Sequence, residues 1–389
     1  MTEDSNKRNG FIKAIGGQRA ITLISILVIA VALIGIVAYN SAHKQQAQEQ
    51  ALSGEQEEST APAAEKEPEA ATQTAAAENR SGQPLPALPE NSTEEEKAMA
   101  DLNSIKIDDA AASQQKGKIT ADGSSMVGSI TQLVADRYRD FYKAVQVNVG
   151  VAGTDEGIAD FAAGKLDICG TTRKLTPEEA AKFSRISYRE IKLAYDAVAV
   201  VTNQGNSWVK DMSVTDLRKV WDSKGRARLW SDVNSGWPGE AFKPISSREA
   251  ALAQNFFCTA LFSNGAAKLT KFNKEVDDNK AFIDSMTGEG NSIGFCNYTL
   301  FESNKDKLKA VGIVSDKGSV MPSFETIESG AYTPLSRTLY LYINNGSLEK
   351  DYVKAFVKVY MENAAKFVKA SGYLPCKDSE YSGYIGSLN

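Results

Sequence analysis

Two stretches of the chain carry β-branched and apolar residues at consecutive rather than alternate positions, IKLAYDAVAVVTN at 191–203 and PLSRTLYLYIN at 334–344. A strand that is apolar on both faces is covered on both sides, which predicts two central strands. Each is read as a crossing between two lobes, and a chain that crosses twice makes a hinged cleft able to close on a small ligand. Ahead of the first crossing, 118–121 predicts a strand and 122–126 a turn into a helix. Ile130, Leu133, Val134, Tyr138 and Phe141 then fall on one helical face. Val145, Val147 and Val149 alternate as a strand, 153–161 predicts a short helix and 166–169 the next strand. This order implies a parallel sheet with helices on its faces. Beyond the first crossing, Ser213 is placed to cap a helix ending near Asp222. A further helix is predicted at 248–262 and a buried strand at 292–296. After the second crossing, Val353, Phe356, Val357, Tyr360, Ala364 and Phe367 keep helical spacing, so 351–370 predicts one long helix.

The N-terminal third follows other rules. No charge occurs from 20 to 42, and 21–38 is apolar apart from Thr22, Ser25 and Gly35, about the length that spans a bilayer. Lys7, Arg8, Lys13 and Arg19 precede it, which predicts a cytoplasmic 1–19, a membrane helix at 20–40 and everything after it outside. A cleaved signal peptide is the rival, but its apolar region would be unusually long and no small-x-small site follows. Residues 41–116 are rich in Ala, Glu and Pro, too poor in apolar groups to offset ordering entropy, and predict a disordered linker. Residues 45–115 hold 15 acidic and 4 basic residues against a whole-chain charge of −5, so the folded part is mildly basic. The expected location is a single-pass protein of the inner membrane, with its C-terminal domain in the periplasm or outside the cell.

Composition narrows the chemistry. The single histidine, His43, lies beside the predicted anchor, which removes every histidine-dependent triad or metal site from the folded part. No Walker-type loop or metal-ligand spacing is present, and basic residues are interspersed with acidic ones, so neither an enzyme, a metal, a cofactor nor nucleic-acid binding is expected. Cys169, Cys258, Cys296 and Cys376 make an even count that allows two disulfides outside the cytoplasm, with four buried thiols as the alternative. For ligand chemistry, a tetrahedral oxyanion needs converging N–H groups at helix starts, hydroxyls and a guanidinium. Ser124, Ser125 and Thr154 stand where strands feed helices, Thr171 and Thr172 follow the third strand, and Arg248 would come from the second lobe. For any one Ser or Thr the plainer reading is a helix cap, and for a lone arginine a surface ion pair.

Eight segments occur in a recognisable order: DGSS at 122–125, GVAGTDEGI at 150–158, DICGTTR at 167–173, YDAVAV at 195–200, LRKVW at 217–221 with LWSDV at 229–233, SSRE at 246–249, SIGF at 292–295 and GAYTPLSR at 330–337. Together they resemble the PstS-like phosphate-binding proteins of bacterial phosphate ABC importers over roughly 117–380. The resemblance implies an α/β, two-lobed periplasmic-binding-protein fold of type II, with lobe 1 at 117–192 plus 336–389 and lobe 2 at 193–335. It also implies anion contacts from Ser125, the Met126 backbone, Thr154, Thr172 and Arg248. Two departures stand out. Asp155 and Glu156 follow Thr154 where the family has Ser or Gly, and two carboxylates there repel an anion unless they point outward. The Ser-Gly-Thr triplet expected after the arginine is absent, because the chain continues Glu249, Ala250, Ala251, Leu252. Two functions follow: an anchored binding protein passing phosphate or a related oxyanion to an ABC importer permease, or a non-transport sensor or interaction module of another envelope complex.

Overall fold

The computed structural model describes residues 94–107, 114–183, 186–262, 269–316 and 318–388. The predicted anchor at 20–40 lies outside them, and among the described residues no helix is long and apolar enough to cross a membrane. Thirteen strands are present among the described residues: β1 (Gly117–Gly123), β2 (Val145–Val149), β3 (Ile168–Thr171), β4 (Tyr188–Asn203), β5 (Asp211–Ser213), β6 (Lys243–Ser247), β7 (Lys274–Val276), β8 (Ser292–Asn297), β9 (Leu308–Ala310), β10 (Gly312–Ser315), β11 (Gly318–Val320), β12 (Ser336–Asn344) and β13 (Leu374–Pro375). Ten of them follow the path β2-β1-β3-β12-β4-β8-β6-β7, with β9 and β13 joined to β4, while β11-β10-β5 form a small separate sheet.

Both predicted crossings are strands, and β4 shows why its sequence is apolar on both faces. Its first part pairs antiparallel with β12, up to Ala197 against Ser336, and its second part pairs with β8, from Val198 against Asn297. One strand of 16 residues thus belongs to two half-sheets and is buried from Leu193 to Thr202. The half built on β1, β2 and β3 is parallel, as the strand–helix order predicts. Beyond β4, β6 runs parallel to β8 and to β7. Each half has its own aromatic packing. Tyr138 stacks on Tyr142 with ring centroids 4.0 Å apart and meets Phe356 edge-on, while Phe257 stacks on Phe295 at 4.3 Å with Trp221 against both.

Local signals place several helix starts. Ser213 caps the Val214–Trp221 helix and forms a capping box with Asp216. Three expectations are corrected. The 351–370 helix is two helices, Asp351–Glu362 and Ala364–Ala370. Asn363 leaves helical geometry at φ −121°, ψ 14°, and its amide donates to the Val359 carbonyl. Within the stretch predicted as disordered linker, Glu94–Asn103 is helical. Leu102 and Ile105 bury there, and Arg137 donates to the Ile105 and Asn103 carbonyls. The disulfides that the cysteine count allowed are also absent. Cys169, Cys258, Cys296 and Cys376 are buried free thiols, and burial pushes those of Cys169, Cys296 and Cys376 up to about 12.

Candidate functional site

The C-terminal ends of β1 and β3 and the starts of two helices are drawn together by main-chain bonds. The Ser124 N–H donates to the Gly170 carbonyl at 2.8 Å, and the Gly153 N–H to the Gly123 carbonyl at 2.9 Å. Gly123 and Gly153 hold φ angles of 131° and 116°. A Cβ on Gly123 would stand 2.1 Å from the Gly170 oxygen, so only glycine lets these strand ends approach so closely. Asp122 fixes the intervening loop by accepting the Gly123 and Ala152 N–H groups at 2.6 and 2.8 Å. Ligand sites of open α/β sheets lie in this position, outside the carboxyl ends of the strands.

The sequence-predicted residues divide here into those that converge and those that do not. Thr154 is the first residue of the Thr154–Ala162 helix. Its hydroxyl lies 3.4 Å from that of Thr172 and accepts the Thr172 N–H at 3.3 Å. Both residues are half-buried, so the hydroxyl pair is reachable from solvent. Ser125 opens the Ser125–Arg139 helix, is exposed, and has no side-chain hydrogen bond to a described residue. Ser124 is a helix cap: it is buried and its Oγ accepts the Met126 N–H at 3.2 Å. Thr171 turns away, buried, and donates to the Arg173 carbonyl at 2.7 Å.

The acidic departure causes less conflict than its sequence suggests. Asp155 is 86 % exposed and pairs with Arg173 at 2.7 Å. Arg173 also makes two bonds to Glu179, at 2.7 and 2.8 Å, and holds that carboxyl down at about 2. Glu156 is exposed. The carboxylates after Thr154 therefore point toward solvent and a guanidinium.

Arg248 does not join the first-lobe hydroxyls. It is 62 % exposed, and its partners are Glu275 at 3.0 Å and Asp277 at 2.6 Å. Behind it Ser246 and Ser247 are buried, Ser246 accepting from Asn273. Glu249 accepts the Asn279 N–H, and Leu252 is 52 % exposed, so this edge shows an apolar side chain where the resemblance implies hydroxyl donors. A cavity of about 520 Å³ opens elsewhere, among Arg218, Lys219, Arg226 and Asp232. Arg218 and Lys219 already donate to the Leu261 and Val233 carbonyls, so that cavity has less free cationic capacity than its lining suggests.

One charged pair escaped the sequence reading. Arg337 on β12 stands directly opposite Asp196 on β4. Nε and Nη2 donate to the same Asp196 oxygen at 2.9 and 2.8 Å, with the two side chains 21 % and 8 % exposed. Burial raises the Asp196 carboxyl and Arg337 pulls it back, the net being a rise. A GAYTPLSR string signals a crossing strand but not which carboxylate meets its arginine; only the pairing register does that.

A family model described as a PBP superfamily domain matches residues 108–363. Phosphate-binding protein PstS of Staphylococcus haemolyticus is 32 % identical over 277 residues, 70 % of this chain and 85 % of the relative. The chain belongs to the PstS-like phosphate-binding family. Protein SphX of Synechococcus elongatus is 31 % identical over 276 residues, 70 % of this chain and 81 % of its own length. Among solved structures, a possible phosphate binding protein from Planctomyces limnophilus superposes with a TM-score of 0.63 at 30 % identity, covering 70 % of this chain and 97 % of that one. A PstS-like protein is a solute-binding receptor rather than an enzyme, and the two-lobed α/β architecture is the family's.

Proposed function

We propose that this chain is a membrane-anchored, extracytoplasmic binding protein for phosphate or a related oxyanion, delivering its ligand to an ABC importer. The observation that carries the reading is the pairing of the Thr154 and Thr172 hydroxyls, 3.4 Å apart, at a helix start. Hydroxyls beside a helix N-terminus suit an anion, because the helix dipole and free N–H groups both favour negative charge. Ser125 adds an exposed hydroxyl at the neighbouring helix start. The Met126 N–H joins them only by exchanging its Ser124 cap for the ligand. The anchor at 20–40 and the acidic linker would let the binding domain range above the membrane.

A second reading, a sensor or interaction module that has changed or lost its ligand, is favoured by the donor-poor stretch from Ala250 to Leu252 and by the carboxylates holding Arg248. Calorimetric titration of the full chain, solubilised in mild detergent, with inorganic phosphate separates the two. Saturable binding supports transport. Absence of binding to phosphate, arsenate and sulfate at millimolar concentration would leave the sensor reading in its place.

A further inference from the structure

We propose that Arg337, positioned by Asp196, is the guanidinium that meets the bound anion, in the role the family pattern assigns to Arg248. The inference rests on the oxyanion reading above. Arg337 touches three elements from its place on β12. It is locked to Asp196 on β4. Its Nη2 lies 2.7 Å from Met126 Sδ in the first turn of the Ser125–Arg139 helix. Its guanidinium carbon lies 3.9 Å from the Phe256 ring centroid, on the Ala251–Phe262 helix that follows β6. The cation therefore lies at the junction of the two half-sheets, beside a helix start that the oxyanion reading gives to the anion.

Its bonding is incomplete. Nε and Nη2 are occupied, but Nη1 donates to no described residue, while the side chain keeps 21 % of its surface open. A guanidinium carries five N–H donors in a planar fork, and one edge fixed by a carboxylate leaves the other pre-oriented for a second acceptor. A half-open guanidinium whose Nη1 has no partner among the described residues is set up for a ligand oxygen, whereas a purely structural buried arginine would use its donors on protein. The contrast with Arg248 is one of setting: that side chain is 62 % exposed, and its Nε and Nη1 go to the exposed carboxylates of Glu275 and Asp277.

The test is calorimetric titration of the full chain with inorganic phosphate, comparing wild type, Arg337→Lys, Arg248→Ala and the double variant Arg337→Gln with Asp196→Asn. The double variant removes both charges together, so no ion is left buried without a partner. The inference predicts that it loses about tenfold or more in affinity, the scale of a charge-assisted hydrogen bond. Arg337→Lys should fall between it and wild type, and Arg248→Ala should cost less than either. A wild type that binds, with a double variant within tenfold of it, overturns the role of Arg337 and leaves the oxyanion reading standing. A wild type that binds no phosphate, arsenate or sulfate overturns both. Side-chain arginine NMR of the wild-type chain gives a readout independent of variant folding. The Arg337 signal, set apart by the Phe256 ring, shifts as phosphate saturates; a signal that stays fixed contradicts the assignment.

Discussion

The ends of β1 and β3 and the end of β6 occupy comparable places in the two half-sheets, yet they treat polar groups in opposite ways. At the first, the backbone bonds of Ser124 and Gly153 bring two helix starts together and leave the hydroxyls of Ser125, Thr154 and Thr172 accessible. At the second, Arg248 is held by Glu275 and Asp277, and the next helix starts with Ala251 and the exposed Leu252. The lesson concerns where free bonding capacity lies. On the proposed reading the anion is held by the first-lobe hydroxyls and by the arginine at the sheet junction rather than by the end of β6.

Substitutions graded by location can break this contrast. The largest effect belongs to the junction: Asp196→Ala strands the Arg337 guanidinium and should cost about 3–5 kcal/mol of stability in chemical denaturation. A loss under about 1 kcal/mol would mean that the pair is far better solvated than its geometry implies. At the first-lobe edge, Thr154→Val combined with Thr172→Val should weaken phosphate binding about ten- to a hundredfold in calorimetry while the chain stays folded. Unchanged affinity would remove this edge from the site.

A third substitution sharpens the contrast inside the first lobe. Burial works to raise the Asp167 carboxyl, but bonds from Ser347, the Thr120 N–H and Lys350 outweigh it and hold it below its ordinary 3.8. A carboxyl lowered on folding adds stability that is full above the ordinary value and is lost as pH falls below it. Wild type should therefore lose stability on acidification past 3.8, and Asp167→Asn should flatten that part of the profile. An unchanged acid limb would contradict the cause. The smallest effect is expected at the second-lobe edge, where Arg248→Ala should leave the denaturation midpoint in place and affinity within about twofold, as solvent-exposed pairs generally do.

How far the sequence could go depends on whether a signal was local. The crossing strands were legible because two-sided burial leaves consecutive apolar residues, and the Val214–Trp221 helix because Ser213 and Asp216 form its cap three residues apart. The Glu94–Asn103 helix was not, since EEEKAMADLN looks solvated and only Leu102 and Ile105 tie the segment down. Arg337 was missed as a site residue because Asp196 lies 141 positions away and only the β4–β12 register joins them. Arg248 was legible as an arginine of the family pattern, but the exposed carboxylates that hold it come from another strand and the loop after it. The hydroxyls of Thr171 and Thr172 are adjacent in sequence, yet one turns inward to a carbonyl while the other faces Thr154 just past the end of β3, which composition cannot show.

The most direct measurement is a crystal structure of the phosphate-saturated protein. The account predicts a tetrahedral anion within hydrogen-bond distance of Thr154, Thr172 and Arg337, with Arg248 still paired to Glu275 and Asp277. An anion bound instead by Arg248 at the end of β6, with the Thr154 and Thr172 hydroxyls left unliganded, would contradict it.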